Sequence, residues 1–171
     1  VSINDADKMT ALAERAAAIM ADAQEVGYHK IAAEIGDYLL QEGRSLAAAL
    51  LRAPAATSLG EIYLSSCVTL AEKTPANAPG FWSSAMAMVE LLQTEGGAHV
   101  TVPGFEAAIR CCQLGGGKWR SAFRLLEDLV AAHPAHSGDT SAVRTGDRDA
   151  EGVLRLRRSF ESTILCCCMN S

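Results

Sequence analysis

The sequence of 171 residues has only five prolines, few aromatic residues (5%) and no run of 18 apolar residues free of charge. Without such a run, it has no candidate transmembrane helix. Aromatic and β-branched residues favour strands, so their scarcity argues against a β-rich fold, whereas the abundant alanine favours helices. Apolar residues make up 49% and charged residues 20%, which excludes general disorder. We therefore expect an all-α protein that is long enough to bury a core.

An excess of positive charge is also missing. Fifteen basic residues face twenty acidic ones, so the formal net charge is −5. A chain this acidic is not a bulk electrostatic binder of nucleic acid. Nine of the fifteen cations lie in residues 105–171, and this is where we expect any anionic partner to bind.

The six cysteines lack the spacing of a metal or redox motif. There is no C-x-x-C and no cysteine–histidine pair at zinc spacing, so we predict no metal site and no cofactor. We expect all six to be reduced and mostly buried in helices, as in a reducing compartment. Residues 115–118 (GGGK) lack the first glycine and the Ser/Thr of a phosphate loop. No arrangement of nucleophile and base is evident, so we predict that the chain is not an enzyme.

Apolar residues recur with helical spacing along most of the chain. Ser58 and Glu61 have the spacing of a capping box, which predicts a helix start at this point. Residues 133–149 are polar and predict the longest loop. The predicted helices cover residues 5–24, 29–41, 45–51, 59–73, 81–93, 105–114, 118–132 and about 151–169.

The spacing of apolar residues also predicts which faces of the first two helices are buried. In the first helix the predicted stripe consists of Met9, Leu12, Ala16, Ile19, Met20 and Ala23. In the second it consists of Ile31, Ile35, Tyr38 and Leu39.

Two internal repeats indicate a stack of similar helical units. The pattern W-x-S-A-[MF]-x-[ML]-[VL]-E-x-L begins at Trp82 and again at Trp119, 37 residues later. The pattern F-E-x-x-I-x-C-C begins at Phe105 and recurs at Phe160, 55 residues later, and the long loop accounts for the wider spacing. Repeats of this period predict an α-solenoid of stacked antiparallel helical hairpins. We expect both tryptophans to be buried, each filling the gap between adjacent units.

The order of these motifs resembles the pentatricopeptide repeat (PPR) family. F-E-x-x-I-x-C-C, a glycine-rich turn and K-W-x-x-A-x-x-L-L-E-x-L make residues 105–133 a good match to one repeat. Residues 64–96 are a weaker match, and residues 160–171 resemble the first half of a third repeat. We accordingly separate an N-terminal helical hairpin region, residues 1–55, from PPR-like repeats over residues 56–171. We expect the repeats to continue beyond residue 171, or the chain to be a fragment, and the Val1 start is consistent with a removed presequence.

The resemblance implies binding to RNA, with one base read per repeat. The reading position two residues after the opening aromatic is Ala107 in one repeat and Ser162 in the next. Alanine has no side-chain hydrogen bond to offer a base, so we expect phosphate contacts with weak sequence preference. The predicted RNA-binding residues are Arg110, Lys118, Arg120, Arg124, Arg155, Arg157, Arg158 and Ser162.

These sequence features lead to two functional hypotheses of different classes. The first is a non-catalytic RNA-binding or scaffold role in an organellar ribonucleoprotein, in mitochondrial RNA processing or the mitoribosome. Its partners are single-stranded or structured organellar RNA and other proteins of the assembly, in the mitochondrial matrix or, alternatively, the chloroplast. The second is a scaffold of the tetratricopeptide (TPR) kind that binds proteins without RNA. A basic stripe containing Arg110, Lys118 and Arg157 favours RNA, whereas an apolar or acidic groove favours a peptide.

Overall fold

The computed structural model describes residues 3–41, 56–95 and 100–132 of the chain. These residues form helices with no strand, which confirms the all-α prediction. A 3-10 turn, Pro75–Asn77, leads directly into the fourth helix. The α-helices are α1 (Ile3–Glu25), α2 (His29–Gln41), α3 (Ala56–Lys73), α4 (Ala78–Glu95), α5 (Val102–Leu114) and α6 (Trp119–Ala132).

Short turns join the helices in pairs. Gly27 lies between α1 and α2 with a φ of 81°. Gly116 and Gly117 lie between α5 and α6 with φ values of 96° and 66°. These left-handed conformations favour glycine because it has no Cβ. Three pairs are thereby formed within the described residues: α1 with α2, α3 with α4, and α5 with α6.

Helices α3, α4 and α5 each begin three residues earlier than the sequence predicts, and α1 begins two residues earlier. Ser58 is the third residue of α3 and not its cap, and the Glu61 carboxylate accepts a hydrogen bond from Thr101 Oγ1 at 3.0 Å. Helix α4 begins at Ala78 because the 3-10 turn continues into it. Helix α5 begins at Val102, since the Thr101 side chain accepts a hydrogen bond from the Gly104 backbone N–H and caps the helix.

Helix α3 is central to the packing. It contacts α1, α2, α4 and α5, while α6 packs mainly against α5. The largest side chains that it buries are Leu59, Tyr63 and Leu64. One cluster of buried apolar side chains extends from Ala17 and Met20 of α1 to Leu129 of α6.

Glycines allow helices to approach α3 and α4 closely. Gly36 of α2 lies directly against the ring of Tyr63, so a Cβ at this position would overlap the ring. The Tyr63 hydroxyl donates a hydrogen bond of 2.5 Å to Asp37 Oδ1, which fixes the ring across the contact. A Cβ on Gly60 would lie 2.7 Å from Leu92 Cδ1 of α4. Each glycine thus makes room for a large side chain on the neighbouring helix.

The buried faces of α1 and α2 match the predicted stripes only in part, since Met20, Ala23 and Leu39 are buried as predicted. Leu12 and Ile19 of α1 are 50% and 54% exposed, and Ile31 and Tyr38 of α2 are 45% and 55% exposed. Besides Leu39, α2 buries small residues that the predicted stripe does not include, because its close approach to α3 at Gly36 leaves little room for large side chains. The buried residues of α2 are Ala32, Ala33, Gly36 and Leu39.

Some predicted elements lie outside the described residues. They are the short helix over residues 45–51, the loop over residues 133–149 and the last helix over residues 151–169.

The contact between Gly36 and Tyr63 can be tested with a pair of alanine substitutions. We expect Gly36→Ala to lower the free energy of unfolding by about 1 to 3 kcal/mol, because overpacking costs more than the gain in helix propensity of about 1 kcal/mol. Gly80→Ala is the matched control, because its Cβ would meet nothing within 4 Å. We expect Gly80→Ala to be neutral or stabilising by up to about 1 kcal/mol. Urea denaturation measures both, and equal effects would contradict the close packing.

Candidate interaction surfaces

Polar side chains of α3 and α5 form one surface, which we call the polar face. Its members lie three or four positions apart on each helix, so each set points to one side. All of them are exposed or partly buried. The polar face consists of Ser65, Thr69 and Glu72 of α3 and Glu106, Arg110 and Gln113 of α5.

Arg110, a predicted RNA-binding residue, is the cation of the polar face. Its Nη2 and Nε lie 3.1 Å and 3.3 Å from the same carboxylate oxygen, Oε1 of Glu72. Its Nη1 donates to Gln113 Oε1 at 3.1 Å. The guanidinium is thus neutralised by a carboxylate of the neighbouring helix. With Glu106 included, one positive charge on the polar face meets two negative charges.

The sequence did not point to Glu72 as a partner of Arg110. The two residues are 38 positions apart, and only the side-by-side packing of α3 and α5 brings them together. The F-E-x-x-I-R pattern gives the position of Arg110 on its helix. It contains no information about the register of that helix against α3.

Lys118 lies in a different environment from Arg110. Its Nζ is 5.1 Å from the centroid of the Trp82 ring, which is cation–π geometry. Trp82, the fifth residue of α4, is half-buried and packs against the turn between α5 and α6. A Cβ on Gly115 would lie 2.6 Å from Trp82 Cβ, so this turn and α4 are in close contact. The prediction that Trp82 fills the gap between adjacent helix pairs agrees with this position.

The prediction that Trp119 is buried is wrong. Trp119 is 53% exposed, at the first position of α6. The Arg120 guanidinium lies 5.3 Å from its ring centroid. Trp82 is covered by the turn that precedes α6, whereas the described residues provide no such cover for Trp119, which lies in the last described helix.

Arg124 lines a cleft of about 300 Å³ between α4 and α6. Two carboxylates, Glu90 and Asp128, share this cleft with it. Gln93 Nε2 donates to Asp128 Oδ2 at 3.3 Å across the cleft. The other lining residues are Ser83, Met86, Ala87, Val89 and Leu125.

The other predicted RNA-binding residues do not join the four cations described above. Arg155, Arg157, Arg158 and Ser162 lie outside the described residues. Ala107, the predicted base-reading position, is partly buried and packs against the core. The described cations are therefore divided: Arg110 is paired on the polar face, and Lys118 and Arg120 each contact a tryptophan ring.

Three cysteines lie together in the core of this region. Cys67 of α3 and Cys111 and Cys112 of α5 are free thiols, and all three are buried, which confirms the predicted burial for these three. Burial raises the pKa of Cys67 to about 12 and that of Cys112 to about 11, and it raises the pKa of Cys111 as well. Cys112 Sγ lies 4.0 Å from Met86 Sδ of α4. Cys166, Cys167 and Cys168 lie outside the described residues.

Within the parts of the chain that the structure describes, no helix is long and apolar enough to cross a membrane. The same residues contain no group of three or more histidine, cysteine, aspartate or glutamate side chains that could hold a metal ion.

The buried thiols give a prediction about reactivity and pH. Thiolate is the reactive form, so a raised pKa slows alkylation. At pH 8 we expect Cys67, Cys111 and Cys112 to react with iodoacetamide at least about a hundredfold more slowly in the folded chain than in urea. The folded rate should still be rising between about pH 8 and pH 10, because these pKa values lie above that range. Trypsin separates residues 53–73 from residues 111–118, so tandem mass spectrometry measures each site. Fast labelling at pH 8 would contradict the burial of these thiols.

No family model matches the chain, and neither the curated proteins nor the solved structures contain a match to it. What the chain does is therefore inferred from the chemistry of its own surfaces.

Proposed function

We propose that this chain is a non-catalytic helical-repeat scaffold that binds a basic segment of a protein partner on its polar face. The observation that carries the proposal is the pairing of Arg110 with Glu72 at 3.1 Å. This pairing leaves Glu106 as the unbalanced charge among the six residues of the polar face. An acidic surface repels a phosphate backbone and attracts lysine and arginine side chains.

The helix packing supports a solenoid. Helix α3 contacts both helices of the preceding pair and also its own partner α4, and α5 in turn contacts α3, α4 and α6. In a solenoid each repeat contacts its neighbours in this sequential way. First helices that lie side by side form an extended surface, and the polar face spans two of them.

The composition of the polar face suits a peptide. Ser65, Thr69 and Gln113 add hydroxyl and amide groups that donate and accept hydrogen bonds. Gln24 of α1 donates a hydrogen bond to Ser65 Oγ, so α1 extends the same surface. An extended peptide has unpaired backbone groups that such side chains can satisfy.

Selection from a random peptide library on the immobilised full chain tests this proposal. We expect the selected peptides to be rich in lysine and arginine. The double substitution Glu72→Gln and Glu106→Gln should lower the affinity for a selected peptide by about tenfold, because each exposed ion pair contributes up to about 1 kcal/mol to binding. Fluorescence anisotropy of the labelled peptide measures the affinity.

Glu34→Gln is the matched control, since Glu34 is an exposed carboxylate of α2 that pairs with Lys30. It should leave the affinity unchanged. Selection of acidic or uncharged peptides, or an equal loss with Glu34→Gln, would refute the assignment to the polar face.

A second candidate function is RNA association in an organellar ribonucleoprotein, as the resemblance to PPR proteins implies. The observation that favours it is the placement of Lys118 over Trp82 and Arg120 over Trp119, at 5.1 Å and 5.3 Å. A cation beside an exposed indole ring, as Arg120 is beside Trp119, is suited to phosphates and stacked bases. Lys118, Arg120 and Arg124 are the described residues for this role, and Arg155, Arg157, Arg158 and Ser162 belong to the same hypothesis.

RNA binding predicts a steep dependence on salt. For an oligouridine of about 20 nucleotides we expect Arg120→Ala with Arg124→Ala to weaken binding and to reduce the slope of log affinity against log salt by about 0.7 per lost contact. Arg157→Ala with Arg158→Ala should act in the same way on every RNA sequence. Arg15→Ala, on α1, is the control and should change neither quantity. Absence of binding, or a strong preference for one sequence, would contradict this candidate.

A further inference from the structure

Three large apolar side chains line one side of α1 at a spacing of seven residues. Leu12, Ile19 and Val26 are 50%, 54% and 66% exposed. Val26 directly follows the last residue of α1, and its backbone N–H donates to the Asp22 carbonyl at 3.2 Å, so the helical geometry continues through it. Positions seven apart drift by only about 20° around a helix. The three side chains therefore form one row, which we call the α1 stripe.

The α1 stripe lies beside the buried face of its helix. Ala16 and Ala23 follow Leu12 and Ile19 by four positions, and they are half-buried and buried, respectively. Residues four apart are neighbours on a helix surface, so alanines separate the stripe from the core. Such small side chains allow the axis of a second helix to come close.

Two opposite charges flank the stripe on its other side. Arg15 follows Leu12 by three positions, Asp22 follows Ile19 by three positions, and both are exposed. Among the described residues, neither side chain forms an ion pair. Seven residues separate the two charges by about 10 Å along the helix, which is too far for them to pair with each other. Both charges are therefore available to a partner.

Helix α2 provides a comparison. Ile31 and Tyr38 are also seven residues apart and are 45% and 55% exposed. The charges next to them, Lys30 and Glu34, pair with each other on the same helix at 3.7 Å. Exposed apolar residues at this spacing thus occur on both helices, and what distinguishes α1 is the two open charges of opposite sign beside them.

The charge pattern is complementary to itself when two copies of α1 run antiparallel. Ile19 lies four residues after Arg15 and three before Asp22, which is about 6 Å and 4.5 Å along the axis. When Ile19 of one copy faces Ile19 of the other, Arg15 of each copy therefore lies at nearly the level of Asp22 of the other. Leu12 faces Val26 at both ends of the same arrangement. A parallel pair would place like charges side by side, so the charges select the antiparallel orientation.

We propose that the α1 stripe is a self-association site, on which a second copy of this chain packs its own α1 in antiparallel orientation. The contact has Ile19 at its centre and two ion pairs between Arg15 and Asp22. Gln24, through which α1 extends the polar face, follows Ile19 by five positions and so points about 140° away around the helix. The dimer leaves the polar face of each copy accessible, and the inference does not depend on the proposed function.

The size of the contact determines its strength. A stable specific interface buries about 800 Å² per partner, which is more than one row of three side chains provides. We therefore expect a weak dimer, with a dissociation constant of about 0.1 mM. The chain is then monomeric in dilute binding assays, where Arg15→Ala stays a neutral control.

Sedimentation equilibrium of the full chain, from about 10 μM to about 1 mM, tests self-association. We expect a monomer–dimer equilibrium. Arg15→Asp should weaken the dimer by about tenfold or more, because it places two carboxylates together at each of the two ion-pair positions. The double exchange Arg15→Asp with Asp22→Arg should restore the original affinity, because it restores the pairing. Lys30→Glu is the matched control, since it makes the same change of charge on α2 and should leave the dimer unchanged.

Cysteine cross-linking tests the orientation, in a background in which Cys166, Cys167 and Cys168 are changed to serine. Ile19→Cys should form a disulfide between two copies on mild oxidation, because the introduced thiols meet at the centre of the contact. Leu12→Cys should form none, because antiparallel packing separates its two copies by about 21 Å along the axis. Trypsin releases residues 16–30 and residues 9–15, so mass spectrometry identifies either product.

Four outcomes would overturn the proposal. A chain that stays monomeric up to about 1 mM has no such site. Equal effects of Arg15→Asp and Lys30→Glu, or a double exchange that restores nothing, would show that these charges do not pair. Disulfides at both introduced positions would show a parallel contact. Alkylation of the thiol introduced at Ile19 as slow as that of the buried Cys67 in the dilute monomer would show that another part of the same chain covers the stripe.

Discussion

Helix α3 contacts four other helices, and close packing at its crossings depends on small residues. The ring of Tyr63 fills the space that a side chain at Gly36 would occupy, and its hydroxyl is fixed by Asp37 at 2.5 Å. Leu92 of α4 approaches Gly60 in the same manner. Because interiors are close-packed, a displacement of one crossing disturbs the next. The position of α5, and with it the polar face, depends on this arrangement.

The fold class and several helix limits could be predicted from the sequence, because they depend on local signals. Helix α2 has the predicted bounds, and α6 begins one residue after the predicted start. The start of α5 depends on the Thr101 side chain, which caps a helix that begins three residues before the predicted start. The buried faces of α1 and α2 could be predicted from periodicity only in part, at Met20, Ala23 and Leu39. A large residue such as Tyr38 and a small one such as Gly36 satisfy the same spacing, and only the distance to α3 decides which is buried.

The candidate site could be predicted less well than the fold, since its electrostatics depend on contacts between distant segments. Arg110 and Lys118 are close in sequence, and this proximity alone predicts one basic stripe. In the structure, one is neutralised by Glu72 of α3 and the other lies over the ring of Trp82 in α4. The same absence of long-range information explains why the predicted burial of Trp119 is wrong. Its sequence pattern matches that of Trp82, but its neighbours in the structure differ. A sequence repeat predicts equivalent positions on two helices, and the surroundings of each helix depend on which other helices pack against it.

The junction between Trp82 and the turn over residues 115–118 has a consequence for how the chain unfolds. Helices α5 and α6 pack against α3 and α4, so this last described pair of helices can separate while the others remain folded. Separation of α5 and α6 removes Lys118 and Gly115 from the indole of Trp82 and exposes it to water. The fluorescence of Trp82 therefore reports the separation of α5 and α6. The environment of Tyr63, which contacts Gly36 and Asp37, reports the separation of α2. If the two signals change together, the described helices unfold as one unit, and if they change separately, individual helix pairs unfold on their own.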